Sequence, residues 1–438
     1  MIELDDRVGF VPGFRRTADG EGVASHSISA VARAGDAIDP LGLATVLMLG
    51  FPLGERTPIC GVERLPPGEV IGRDGRVQRS NALRPPSAPP SVDAQVELFL
   101  AACKRMLPAQ RLVAMLSGGR DSRMILLALR QLGHAPEAIL TVGRPGYVPD
   151  ATVAQQVARR CGWEVESCIP AIYSGSAEIA RHRAQSLESL EHAWLGCLAR
   201  HANRRAGGAP FITDGLGAGV LSTGSLMDPE AIGLWRAGHL DELSEWVLGN
   251  AVGVGPEFLA AVQRAGYPVA PADEVRHELV RVLRALSVWP NPLGAFSLFH
   301  WSRRGISASP FGLLAAPGRV FAPLCDGALV EALLAMEIDQ AAAQDWREPL
   351  ISRLWPDANP VPYADGQPRR TWASQVRRAA SSVMSHWHLK SCRGRLAKVA
   401  AAVDADRGPG QRSFNRSAVG LLSALESMID APAGRRSM

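Results

Sequence analysis

The sequence contains very little lysine, and its cysteines form no metal-binding or redox pattern. Lysine stands at only three positions, Lys104, Lys390 and Lys398, so arginine carries nearly all of the positive charge. The seven cysteines include no C-x-x-C pair. This spacing argues against a zinc site and a disulfide framework, and it fits a reducing compartment. We therefore expect a cytoplasmic protein.

Long apolar runs are absent as well. No stretch reaches the roughly 18 consecutive apolar residues that a membrane-spanning helix requires. The N-terminal stretch MIELDDRVGF is acidic where a secretion signal would be basic. A net charge of +4 spread over 438 residues does not argue for nucleic acid. We expect neither a membrane nor a nucleic acid as partner.

Composition changes along the chain and suggests three parts. Residues 1–82 are rich in glycine, proline and short β-favouring pieces, which predicts a small β-containing domain. Residues 83–91 (LRPPSAPPS) form a proline-rich linker. Residues 92–438 make the main domain. It opens with a helix at 92–106, because apolar side chains recur there at helical spacing.

Strand and helix patterns alternate from residue 111 onward. The continuous apolar run at 112–116 is typical of a buried parallel strand. Further strands are predicted at 138–142, 164–167 and 210–213, with helices at 123–132, 151–161 and 177–206. This alternation predicts an α/β fold with a doubly wound parallel sheet, on which ligands bind at the carboxyl ends of the strands.

The remainder of the chain is predicted to be mostly helical. Amphipathic spacing appears at 234–251, 274–288, 327–335, 371–383 and 417–428. Arg303 and Arg304 follow an aromatic stretch and are interpreted as a pair on a helix surface, with contact to a phosphate as the alternative. Asp326 is expected to cap or anchor the helix that follows it.

The sharpest motif is S-G-G-R-D-S at residues 117–122, between the apolar strand and the next helix. Gly118 and Gly119 let the backbone turn and expose consecutive N–H groups, which at a helix N-terminus stabilise an anion. The hydroxyls of Ser117 and Ser122 add donors. Asp121 suits such a site only if Mg²⁺ lies between it and a phosphate. The alternative is a plain strand–helix turn.

This motif resembles the pyrophosphate loop of the N-type ATP pyrophosphatases. Within that group it most resembles the asparagine synthetase family, including the β-lactam synthetases and the lasso-peptide cyclases. Further similar segments lie at 54–58 (GERTP), 65–69 (LPPGE), 141–143 (TVG), 150–154 (DATVA), 213–217 (TDGLG) and 321–326 (FAPLCD). The N-terminal part then resembles the end of a truncated glutaminase-like domain.

The resemblance implies a two-step reaction with ATP and Mg²⁺. A substrate carboxylate attacks the α-phosphorus and displaces pyrophosphate, and an amine then captures the acyl-adenylate. The residues implied to hold pyrophosphate and Mg²⁺ are Ser117, Gly118, Gly119, Asp121 and Ser122. Those implied to contact the nucleoside through their backbone are Leu116, Val142 and Gly215.

The sequence departs from this family at three places. Ile2, not cysteine, follows Met1, so the thiol nucleophile of a glutaminase is missing. An acidic pair expected after the second glycine loop is replaced by residues 217–220 (GAGV), which leaves Asp121 and Asp214 as metal ligands. The lysine expected at 360–372 is also missing. Arg369 or Arg370 would supply its positive charge as a catalytic group; the alternative is a solvated basic turn.

The leading hypothesis is an ATP-dependent, amide-forming ligase without its own glutaminase, in peptide or natural-product biosynthesis. Its carboxylate substrate is a precursor peptide closed to a macrolactam, a β-amino acid closed to a β-lactam, or a small acid such as aspartate. The amine comes from the substrate, from free ammonia or from a partner protein. The competing hypothesis is a catalytically impaired nucleotide-binding protein with a regulatory role.

Overall fold

The computed structural model describes residues 4–17, 24–72, 74–81, 83–84, 88–109, 111–170, 174–192, 195–217, 226–343, 345–356, 361–364, 384, 388–403 and 409–430. Among the predicted features, the candidate cations Arg369 and Arg370 and the helix expected at 371–383 lie outside these residues. Parts of the linker expected at 83–91 and of the segment at 217–220 lie outside them as well.

The described residues of the N-terminal part form two small antiparallel sheets, in agreement with the predicted β content. The first has the order β2-β1-β3 and the second is a β4-β5 hairpin. Their strands are β1 (Phe14–Arg16), β2 (Ala24–Ser25), β3 (Val62–Arg64), β4 (Glu69–Ile71) and β5 (Val77–Arg79). Two helices lie between β2 and β3, α1 (Ile28–Val31) and α2 (Pro40–Leu49). The predicted helix α3 (Val92–Met106) follows, and the Ser91 hydroxyl caps its N-terminus.

A five-stranded parallel sheet forms the centre of the molecule, in the order β10-β9-β6-β7-β8. The predicted alternation is confirmed, with boundaries shifted by one or two residues. In chain order the elements are β6 (Leu112–Met115), α4 (Asp121–Gln131), β7 (Ala138–Val142), α5 (Pro149–Arg160), β8 (Glu166–Cys168), α6 (Gly175–Ala184), α7 (Leu195–Arg205) and β9 (Phe211–Thr213). The edge strand β10 (Val320–Phe321) ends at the first residue of the segment at 321–326.

Helices cover both faces of this sheet. On one face Val113 and Leu140 pack with Leu198 of α7. On the other, Ala114 packs with Val157 of α5. The chain leaves β6 toward β7 and β8, and then crosses back to place β9 on the other side of β6. The strand order therefore reverses between β6 and β9, where doubly wound sheets open a crevice for ligands.

The single helix predicted at 177–206 is wrong, because α6 and α7 are separate helices. Between them Ser186, Leu187 and His192 have positive φ angles of 54°, 61° and 65°. An α-helix requires negative φ, so it ends here. This segment also buries the carboxylate of Glu188 against arginines from other parts of the chain. Tertiary contacts therefore override local helix propensity.

The later part of the described chain is helical, as predicted. The helix expected at 234–251 divides at Gly238, which has a left-handed φ of 73°. The helix expected at 274–288 ends in a short 3-10 turn. The helices are α8 (Pro229–Ala237), α9 (Leu240–Asn250), α10 (Pro256–Arg264), α11 (Ala272–Ala285), α12 (Pro292–Phe296), α13 (Gly327–Leu334), α14 (Ile338–Ala343), α15 (Arg347–Leu354), α16 (Gly394–Ala400) and α17 (Pro409–Ile429). Two π-helical segments, Ser297–Ile306 and Pro310–Leu314, follow α12.

The interpretation of Arg303 and Arg304 as a surface pair is wrong. Both side chains are fully buried. Arg304 pairs with Glu188, which also pairs with Arg64 of β3, while the Arg303 guanidinium donates to Glu55 at 2.7 Å. Buried charges require such partners. The two arginines thus tie the π-helical segment to the N-terminal part, which covers them. Asp326 anchors as expected, through an ion pair between α13 and Arg105 of α3.

None of the helices in the described ranges has the length and apolar character needed to cross a bilayer.

Candidate functional site

A cavity of about 670 Å³ opens at the carboxyl ends of β6, β7 and β9. This volume is typical of small-ligand sites. Seven of the nine residues expected to contact nucleotide line it: Leu116, Ser117, Asp121, Ser122, Val142, Asp214 and Gly215. Sequence positions up to about a hundred residues apart thus meet at the reversal point of the sheet. The other two, Gly118 and Gly119, are not among the lining residues.

The loop at 117–120 is held in shape by its own serines. The Ser117 N–H donates to Ser122 Oγ at 3.0 Å, and the two hydroxyl oxygens also lie 3.0 Å apart. Ser117 Oγ accepts from the Gly119 N–H at 3.2 Å. A buried turn needs such partners for its polar groups. The serines therefore shape the loop in the ligand-free protein, and a bound phosphate would compete for the same groups.

Gly118 is required by close packing and not by an unusual backbone angle. Neither glycine of the pair has a positive φ. A Cβ on Gly118 would lie 2.6 Å from the Ala364 Cβ and 3.2 Å from the Asp150 Cα, whereas one on Gly119 would meet only Ser117 Oγ at 3.3 Å. The first distance is too short for two carbon atoms. The first glycine thus allows two other segments to approach the loop.

Asp121 begins α4 and is neutralised by an arginine that the sequence did not indicate. Its carboxylate accepts from Arg347 Nη1 at 2.7 Å, and Arg347 also donates to both carboxylate oxygens of Asp345. Burial raises the pKa of Asp121, and the Arg347 charge only partly offsets this. Burial acts to lower the pKa of Arg347, but Asp345 and Asp121 raise it overall. Arg347 is thus a positioning residue for Asp121.

Asp214 directly follows β9 and shares the cavity with Asp121. Its Oδ1 accepts from the Leu216 N–H at 2.8 Å. Burial raises the pKa of Asp214 to about 6, and the charge of Asp121 adds to the rise while the Leu216 hydrogen bond opposes it. A Cβ on Gly215 would lie 2.8 Å from the Asp121 Cβ. The glycine therefore lets the two carboxylates approach.

The donor set fits Mg²⁺ only if the ligand supplies further oxygens. Asp121 and Asp214 both line the cavity. Within the described ranges, no group of three or more His, Cys, Asp or Glu side chains is arranged to hold a metal. Mg²⁺ commonly binds through one or two carboxylates together with phosphate oxygens and water. The two aspartates therefore suit a metal–nucleotide complex better than a resident metal.

The far wall of the cavity is mostly apolar and was not anticipated. Leu195 and Leu198 of α7 line it together with Trp301 and Pro310 from the π-helical segments. His192 Nδ1 lies 3.1 Å from Ser309 Oγ, which also accepts from Gln185 at 2.8 Å. Burial and the nearby Arg181 charge lower the pKa of His192 to about 4. This wall is uncharged at neutral pH.

Three further side chains therefore belong to the site and were missed: Asp150, His192 and Arg347. Asp150 had a usable signal, because it is an acid placed directly before the helix predicted at 151–161, which follows a strand that ends at the ligand edge. His192 lay inside a stretch interpreted as continuous helix. Arg347 contacts Asp121 across 226 positions of sequence, and no local pattern marks it.

Comparison with known proteins gives no family for this chain. No protein-family model matches the sequence, and no curated protein matches it either. The chemistry of the site therefore has to be inferred from its own residues.

Proposed function

We propose that this protein is an ATP-dependent ligase of the asparagine synthetase type, with the fold of the N-type ATP pyrophosphatases. It adenylates a carboxylate with release of pyrophosphate and then joins the acyl group to an amine. The observation that carries the proposal is the position of the S-G-G-R-D-S loop. It connects the central strand β6 to α4 and opens on a cavity at the sheet's reversal point.

The polar groups of the cavity suit this chemistry. The serine hydroxyls and the N-terminus of α4 would donate to the leaving pyrophosphate. Leu116, Val142 and Gly215, which line the cavity, would contact the nucleoside through their backbone. Mg²⁺, bound with ATP, supplies charge neutralisation for the phosphates. Asp121 and Asp214 hold and orient that complex, so that the protein's main contribution is positioning and electrostatic stabilisation.

The positive charge near the leaving group has two possible sources in this proposal. Arg369 and Arg370 lie outside the described residues. Within the described chain, Arg347 contacts Asp121 and carries a permanent charge. Since no described arginine or lysine lines the cavity, the metal and one of these arginines would together balance the nucleotide.

The substrate is a carboxylate whose apolar portion fits the uncharged far wall. A precursor peptide or a β-amino acid suits Leu195, Leu198 and Trp301 better than aspartate does. The amine then belongs to the same substrate, or it is delivered as ammonia or by a partner protein.

A second candidate function is nucleotide binding without catalysis, in a regulatory role. Two contacts favour it. Arg347 already neutralises Asp121, and the Gly118 N–H already donates to a carboxylate of the chain. Under this alternative the site binds nucleotide without forming acyl-adenylate.

ATP–pyrophosphate exchange distinguishes the two functions. Purified protein is incubated with ATP, Mg²⁺, labelled pyrophosphate and a panel of amino acids and peptides. A ligase shows exchange that depends on one carboxylate and is lost in Asp121→Asn. The matched control is Asp241→Asn, an exposed acid in the first turn of α9 away from the cavity, which leaves exchange unchanged. Nucleotide binding without exchange for any acid supports the regulatory alternative.

A further inference from the structure

The phosphate loop already holds an anion that belongs to the protein. The Gly118 N–H donates to Asp150 Oδ1 at 2.8 Å. Asp150 lies in the first turn of α5, where Pro149 is the first helical residue and the N-cap residue Val148 provides no side-chain cap. Gly118 is packed so closely against Asp150 that a Cβ would lie 3.1 Å from Oδ1. The loop and the first turn of α5 are therefore both packed in a way that maintains this contact.

This contact uses a group that the phosphate loop needs. A glycine-rich loop binds phosphate through its backbone N–H groups, and Gly118 is the first glycine of that loop. A carboxylate oxygen and a phosphate oxygen are both hydrogen-bond acceptors, so they compete for the single N–H of Gly118. A carboxylate and a phosphate that both approach the same N–H also repel each other strongly in a partly buried site. Asp150 and a bound phosphate therefore exclude each other unless a cation lies between them.

The surroundings of Asp150 leave its charge available for such competition. In the described part of the chain no arginine or lysine forms an ion pair with it, and it faces the same cavity as Asp121 and Asp214. Asp121, by contrast, has a permanent partner in Arg347.

We propose that Asp150 is an internal anion that occupies the phosphate loop of the ligand-free protein and leaves Gly118 when the pyrophosphate portion of a nucleotide binds. This inference rests on the proposed function, because it takes the loop to be a phosphate site. On release, the carboxylate stays at the cavity wall and repels metal-free phosphate. Asp150 thus favours binding of the metal complex over binding of metal-free pyrophosphate or metal-free nucleotide.

Calorimetric titration of inorganic pyrophosphate without divalent metal tests this directly. Asp150→Ala removes the competing charge, so it binds pyrophosphate on the order of tenfold more tightly than the wild type. Asp150→Asn keeps an acceptor for the Gly118 N–H but loses the charge, and its affinity lies between the two. A thermal unfolding transition shows that each variant is folded. If the alanine variant does not fold, the titration of the asparagine variant tests the inference.

Asp93→Ala is the matched control, since Asp93 is the second residue of α3 just as Asp150 is the second residue of α5, and it does not line the cavity. This control binds pyrophosphate as the wild type does. If the wild type binds pyrophosphate and both Asp150 variants bind it equally well or more weakly, this inference is overturned while the proposed function stands. Asp150 would then only connect α5 to the loop. If neither the wild type nor any variant binds pyrophosphate, with or without Mg²⁺, the phosphate site itself is wrong.

Discussion

Replacing Asp214 by asparagine should stabilise the ligand-free protein at neutral pH while removing its activity. Asp214 is ionised above about pH 6 although burial and the neighbouring Asp121 both disfavour its charge. Asparagine keeps an oxygen that accepts from the Leu216 N–H, so the turn after β9 is preserved. The carboxylate is thus retained for ligand binding at a cost in stability, as is common at functional sites.

The size of the effect follows from the pKa. The pKa of Asp214 rises from 3.8 to about 6 in the folded protein, and each unit corresponds to about 1.36 kcal/mol. Because the folded-state pKa is the higher one, the wild type loses stability as the pH rises from the lower to the higher value. Asp214→Asn should therefore gain about 2 to 3 kcal/mol in the free energy of unfolding above pH 6, but less than about 1 kcal/mol near pH 4.

Urea unfolding followed by tryptophan fluorescence at several pH values between about 4 and 8 measures this gain. Asp241→Asn, which changes an exposed acid of α9, should show no such pH dependence. The reasoning is refuted if Asp214→Asn is no more stable than the wild type near pH 7.5. It is also refuted if the gain does not shrink as the pH falls toward 4.

Three other substitutions test the packing and charges around the site. Gly118→Ala should cost about 1 to 3 kcal/mol in stability and weaken nucleotide binding in calorimetry, because its Cβ meets Ala364 and Asp150; Gly233→Ala, with open space around it, should not. Arg347→Ala should raise the pKa of Asp121 and move the exchange optimum to higher pH, whereas the same change at the exposed Arg353 on α15 should leave the profile in place. Glu188→Ala should destabilise the fold by about 3 to 5 kcal/mol in urea unfolding, because it leaves two buried arginines unpaired. A loss below about 1 kcal/mol, as expected for an exposed ion pair, would contradict that account.

The sheet and the loop could be predicted because their signals are local. An apolar run gives β6, the adjacent glycines mark the turn, and helical spacing gives α4. The chain order of the four strands then fixes which ends face the ligand. Leu116, Val142 and Asp214 could be placed at the cavity for the same reason, since each directly follows or ends a predicted strand.

The missed features depend on contacts between distant parts of the chain. Asp150 reaches Gly118 across 32 positions, and His192 reaches Ser309 across 117. The break between α6 and α7 exists because Glu188 must meet Arg64 and Arg304, although the local sequence favours helix. The burial of Arg304 has the same cause. A single sequence contains no periodic signal for such partners, so charge pairing in the folded state decides them.

The most direct test of the proposed adenylation follows the oxygen atoms of the carboxylate. The acid that supports exchange is labelled with ¹⁸O in its carboxyl group and converted to product with ATP and Mg²⁺. Attack of the carboxylate on the α-phosphorus, followed by capture of the acyl group by an amine, leaves one carboxyl oxygen on AMP. Mass spectrometry should therefore find ¹⁸O in AMP, in an amount equal to the amide formed. Amide formation with unlabelled AMP, or with the label in phosphate beside ADP, would contradict an acyl-adenylate.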